Sequence, residues 1–108
     1  MASATDHFGL SDKTLNALTA IFAAHQGVDK VLIYGSRAKG NYREGSDIDL
    51  TIDSECLSFE QLIRLKGQID DSMIPQMVDL SVLQSIQNPE LLNHIMRVGK
   101  VFYERQGA

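Results

Sequence analysis

A chain of 108 residues with a net charge of −4 is long enough to bury one core, but it carries too little positive charge to grip long DNA or RNA by displacing counterions from phosphates. One cysteine, Cys56, excludes an internal disulfide and a cysteine-rich zinc site. With no signal-peptide pattern in MASATDHFGL and no apolar run near the ~20 residues of a spanning helix, the chain reads as cytoplasmic and not membrane-bound.

Residues 1–10 read as a loose N-terminal arm, and 11–108 as one domain without repeats or linkers. Ser11 is a cap for a helix running to about His25, with Leu15, Leu18, Ile21 and Phe22 on one face and Gly27 as its stop. Lys30 to Tyr34 is a short β-forming run that ends abruptly at Gly35. Residues 36–46 read as loop, with one helical turn near Ser36 to Lys39. Residues 47–53, DIDLTID, alternate strictly, so Ile48, Leu50 and Ile52 face one way and Asp47, Asp49, Thr51 and Asp53 the other.

Ser58 and Gln61 form a capping-box pattern opening a helix that buries Leu62, Ile63, Leu65 and Ile69. Pro75 breaks the chain before a strand from Met77 to about Leu83, in which Val78, Leu80 and Val82 share a face and Asp79 and Ser81 the opposite one. Asn88 and Pro89 start a last helix carrying Leu91, Leu92, Ile95 and Met96, stopped near Gly99. Val101 to Tyr103 could add a short strand or packing segment. The expected fold is α+β (α/β), a small mixed β-sheet flanked by helices in the order α-β-α-β-α-β-α.

Asp47 and Asp49 leave the same strand face about 7 Å apart at Cα, a spacing at which two carboxylates can converge on a pair of divalent ions. Magnesium takes oxygen ligands and is commonly shared between carboxylates and substrate phosphates. Asp79 has the parity to complete the set, provided its strand neighbours that of Asp49. A lone D-x-D on an exposed sheet face is usually only solvated charge. Three clustered carboxylates repel one another, however, and that arrangement makes sense chiefly with a cation as partner. Upstream, Gly35 lets backbone amides approach a phosphate closely, and Ser36 adds a hydroxyl donor. Arg37, Lys39 and Arg43 bring positive charge for triphosphate oxygens. The loop is neither a Walker loop nor a dinucleotide fingerprint.

Gly35-Ser36, ten intervening residues, then Asp47-Ile48-Asp49 resembles the signature of the DNA polymerase β-like nucleotidyltransferase superfamily. The fuller stretch GSRAKGNYREGSDIDL is similar to the minimal nucleotidyltransferase (MNT) branch, whose small proteins are partnered by HEPN-domain proteins. The resemblance implies the nucleotidyltransferase fold and two Mg2+ ions around a nucleoside triphosphate, with ATP as the expected substrate. Asp47 and Asp49 would ligate both ions. Asp79 would complete the one that activates the acceptor hydroxyl, and Gly35 and Ser36 would hold the β- and γ-phosphates. It further implies an antitoxin that transfers AMP to a tyrosine of a HEPN-type toxin in a hetero-oligomer. Two alternatives stand beside it: a binding module that neutralises the partner by complex formation, and transfer to a small molecule or an RNA end.

The remaining conspicuous residues read as structural. Cys56 is expected to be a small packed residue, and Met73, Met77 and Met96 are expected to be core or interface fillers. Tyr42 is read as a loop anchor rather than a base-stacking ring. His7, His25 and His94 lack a second ligand at metal spacing and are assigned no role.

Overall fold

The computed structural model describes residues 8–105. Ser11 caps α1 (Asp12–Ala23) by accepting a hydrogen bond from the Thr14 amide, and the helix ends two residues before His25, with Ala24 as its C-cap. Its C-terminal carbonyls find their donor far along the chain: Arg105 donates through Nη2 to the carbonyls of Ala23 and His25, and through Nε to that of Val28. A positive group at a helix C-terminus satisfies both orphan acceptors and the helix dipole.

Four strands follow: β1 (Lys30–Tyr34), β2 (Ile48–Asp53), β3 (Val78–Val82) and β4 (Lys100–Glu104), in the sheet order β3-β2-β1-β4. β1 runs antiparallel to both β2 and β4, and β2 parallel to β3. The terminal segment left open between strand and packing is therefore an edge strand. α2 (Ser36–Lys39) is the single turn expected in the motif loop. α3 (Phe59–Asp71) starts with the full reciprocal capping box of Ser58 and Gln61, and α4 (Pro89–Val98) is capped by the Asn88 side chain.

Parity assigns the two faces of the sheet. Val31 and Ile33 pair with Ile52 and Leu50, and Leu50 with Leu80. This apolar face packs against Leu18 and Phe22 of α1 and Leu65 and Ile69 of α3 to make the core. The other face carries Leu32, Tyr34, Asp49, Thr51, Asp79 and Ser81. There α4 covers β1 and buries Ile95, while the β2–β3 end stays open.

Some expectations fail on burial. Ile63 of α3 is 50% exposed and Met96 of α4 77% exposed, because the sheet covers only a narrow stripe of each helix. Met73 and Met77 are also exposed, and so is Cys56, so none of them fills the core. The N-terminal arm does not extend to residues 8–10: Leu10 is buried, and Phe8 packs 6.2 Å from the Phe102 ring. Residues 1–7, and His7 with them, lie outside the described residues.

Candidate active site

The central expectation depended on β2 and β3 being neighbours, and they are. In the parallel ladder Asp49 stands directly opposite Asp79, with Thr51 opposite Ser81 two residues on. Asp47 lies just before β2, exposed at the same end of the sheet. The β1–β2 ladder brings Tyr34 opposite Asp49, and Gly35 is the next residue along. Gly35 has φ +77° and ψ −155°, a conformation essentially restricted to glycine. A side chain built there would run into the Asp49 carboxylate, so only glycine allows the turn to sit against the acid. Ser36 follows as the first residue of α2, on the same turn.

The other two acids leave a mark on Asp49. Burial raises the Asp49 carboxyl above its ordinary range, and the neighbouring charges of Asp79 and Asp47 raise it further, with His94 partly opposing. Beneath them runs a chain of hydroxyls: Ser81 donates to Thr51 Oγ1 at 2.9 Å. The Tyr34 phenol is raised by burial, lowered by its hydrogen bond with Ser81, and raised again by the charges of Asp79 and Asp49. Thr51 is buried and Ser81 half-buried, whereas Asp47 and Asp79 are exposed.

Among the described residues, no three carboxylate, imidazole or thiol groups converge into a ready-made metal cage. The donor set nevertheless suits a hard divalent ion. It offers carboxylate oxygens, with a like-charge pair at its centre that His94 only partly offsets, and would share the ion with phosphate oxygens. The site is also shallow. Asp79 lines a groove of ≈ 300 Å³ with Lys66 and Met77, whereas a larger cleft of ≈ 540 Å³ lies at the opposite end of the sheet, around Lys30, Asp53 and Arg105. That cleft contains none of the motif residues, and the chemistry of the acids outweighs its size.

The three basic residues of the loop separate. Arg37 is 2% exposed and turned inward. Its Nη1 donates to the Phe8 carbonyl at 2.8 Å, and its Nη2 to the carbonyls of Glu44 at 3.1 Å and Ser46 at 2.9 Å. The guanidinium also lies 5.1 Å from the centroid of the Tyr42 ring, whose edge meets Gly9. Expected at phosphate, Arg37 instead ties the motif loop to the N-terminal segment, with Tyr42 as the anchor it was read to be. Lys39 and Arg43 are exposed on the loop and are the cations left for an anionic ligand. His94 was assigned no role, yet its Nε2 accepts a hydrogen bond from the Gly35 amide at 3.1 Å. Nothing in its sequence context signals this, because the contact joins positions 59 residues apart. The His25 ring pairs with Gln68 Oε1 at 3.0 Å, consistent with its structural reading.

Comparison with known proteins meets this geometry. The family model described as polymerase β nucleotidyltransferase matches residues 16–108. A Methanocaldococcus jannaschii protein, provisionally named a protein adenylyltransferase, is 35% identical over 85 residues, covering 71% of this chain and 86% of that protein. Among solved structures, a chain from a toxin–antitoxin crystal structure with AMP-PNP superposes with a TM-score of 0.66 at 20% identity, covering 85% of this chain and 74% of the other. A chain from the complex of tri-AMPylated Shewanella oneidensis HEPN toxin with MNT antitoxin gives 0.61 at 17% identity, covering 85% and 71%. At such identities the likeness to the solved structures is one of fold.

Proposed function

We propose that this chain, which belongs to the polymerase β nucleotidyltransferase family, is a Mg2+-dependent adenylyltransferase that modifies a tyrosine of a HEPN-type partner and so acts as its antitoxin. The nucleotidyltransferase activity is that of the family; the nucleotide, the acceptor and the partner are the proposal. The observation that carries it is the direct pairing of Asp49 with Asp79 beside a glycine turn that packs on Asp49. The provisional name of the archaeal relative, and the toxin–antitoxin complexes among the structural neighbours, support the choice of a protein acceptor.

In this reading Gly35 and Ser36 hold the β- and γ-phosphates, and Lys39 and Arg43 add charge from the exposed loop. Asp47, Asp49 and Asp79 would hold Mg2+, which when bound neutralises the triphosphate and the departing pyrophosphate. The acceptor oxygen attacks the α-phosphorus, a new P–O bond forms, and the bond to the bridging oxygen of the β-phosphate breaks. Asp79, the more open acid of the pair, takes the hydroxyl proton. A tyrosine hydroxyl ordinarily titrates near pH 10, so an adjacent carboxylate base is of direct use. The acid end of the sheet is open and shallow, so a partner supplies the wall that orders the acceptor, and the working form is a hetero-oligomer in the cytoplasm. Among the described residues no helix is long and apolar enough to cross a membrane.

ATP labelled at the α-phosphate tests the reading against one labelled at the γ-phosphate. With a HEPN-type partner and Mg2+, the α-label is expected on the partner and the γ-label is not. Loss of labelling in Asp47→Asn and Asp79→Asn places the chemistry in these acids. A tight, unlabelled complex that survives both substitutions would instead make the chain a binding module.

A further inference from the structure

The β1–β2 ladder ends at the Tyr34–Asp49 pair, so Gly35 is the first residue beyond the sheet and has no ladder partner to orient its peptide. It is also a glycine, the residue with the most backbone freedom to lose. Its carbonyl accepts from the Lys39 amide at 3.1 Å within α2, and its amide is held by the imidazole of α4, donating to His94 Nε2 at 3.1 Å. The ring is itself held edge-on against Tyr34, with centroids 6.1 Å apart and planes at 78°, and its neighbour Ile95 is 2% exposed and anchors that turn of α4. A buried anchor, a fixed ring and a directed nitrogen therefore meet the one peptide that has to be placed against Asp49.

We propose that His94 is a positioning residue for nucleotide, whose Nε2 fixes the Gly35 amide and through it the turn that sets Gly35 against Asp49 and leads into Ser36. The inference rests on the reading of Gly35 and Ser36 as phosphate ligands, and it concerns nucleotide binding, not the identity of the acceptor. The acceptor nitrogen of His94 is the active feature rather than the volume of its ring. Two substitutions separate these. His94→Phe keeps an aromatic ring against Tyr34 and removes the acceptor. His94→Gln discards the ring but can place an amide oxygen near the position of Nε2.

The experiment is calorimetric titration of each folded variant with Mg·ATP, with hydrogen exchange of the Gly35 amide followed by NMR in the nucleotide-free chain. His94→Phe is expected to bind about three- to tenfold more weakly, the loss typical of one neutral hydrogen bond, and to exchange the Gly35 amide faster. His94→Gln is expected to stay within about twofold of wild type with the amide protected. Binding by His94→Phe that is unchanged or tighter overturns the proposal, as does a His94→Gln variant as weak as His94→Phe, which would show that only the ring matters. A wild-type chain that binds no Mg·ATP overturns this inference together with the phosphate reading. Normal binding without transfer to any partner leaves His94 in place and removes only the acceptor.

Discussion

Replacing Asp49 by Asn should make the nucleotide-free protein more stable. The substitution keeps the shape of the side chain and removes one of two like charges that stand directly opposite each other in the β2–β3 ladder. Directly opposed like charges on a sheet cost about 0.2–1 kcal/mol, and the partly solvated position of Asp49 keeps the gain within that range. For a domain of this size it corresponds to about 1–8 °C in melting temperature. The pH dependence fixes the sign. Burial and the charges of Asp79 and Asp47 raise the folded-state pKa of Asp49 above its ordinary value of 3.8. The folded chain therefore keeps this proton longer than the unfolded chain. The wild type has its full stability with respect to this group below the ordinary value, and loses it as pH rises from there through the raised folded value. Melting curves of both proteins across that window, without Mg2+, should converge at the acid end and separate above it. Adding Mg·ATP should reverse the order, stabilising the wild type by mass action and leaving the variant unmoved. An Asn variant that melts at or below wild type at neutral pH, or an advantage that persists below the ordinary carboxylate range, refutes the repulsion on which the metal reading rests.

Substitutions at four further positions probe the scaffold around the acids and beyond them. Arg37→Met strips the donors from the carbonyls of Phe8, Glu44 and Ser46 and should cost about 2–4 kcal/mol in denaturant unfolding, with Arg37→Lys recovering only part because an ammonium lacks the planar fork. Gly35→Ala should cost about 1–3 kcal/mol and abolish nucleotide binding, since the new Cβ meets the Asp49 carboxylate. Gly45→Ala, which meets nothing, should stay within about 0.5 kcal/mol of wild type. Ser58→Ala removes the cap of α3 at the end of the sheet away from the acids and should lower stability by about 1 kcal/mol, with Mg·ATP affinity unchanged in titration.

What could be read from the residues, and what could not, follows from the range of the interactions involved. Local chemistry was legible: the caps Ser11, Ser58 and Asn88 begin the helices they were read to begin. Strict alternation in DIDLTID put Ile48, Leu50 and Ile52 in the core and Asp49 on the other face. The pairing of Asp49 with Asp79 was conditional on strand order, which parity alone cannot supply. Arg37 was misplaced because charge and proximity say nothing about direction, and its partners Phe8, Glu44 and Ser46 are backbone carbonyls, invisible in residue types. Helical spacing overstated the burial of Ile63 and Met96, since a four-stranded sheet covers less of a helix than the apolar stripe suggests. His94 was missed for the plainest reason: its contact with Gly35 exists only after α4 packs on β1.

The most direct test of the account is the mass of a HEPN-type partner after incubation with this chain, ATP and Mg2+. The account predicts a gain of whole adenylyl groups, mapped to tyrosine, and no gain with Asp49→Asn or when Mg2+ is chelated. A partner whose mass is unchanged while the two proteins remain bound, or one modified equally well by Asp49→Asn, would contradict it.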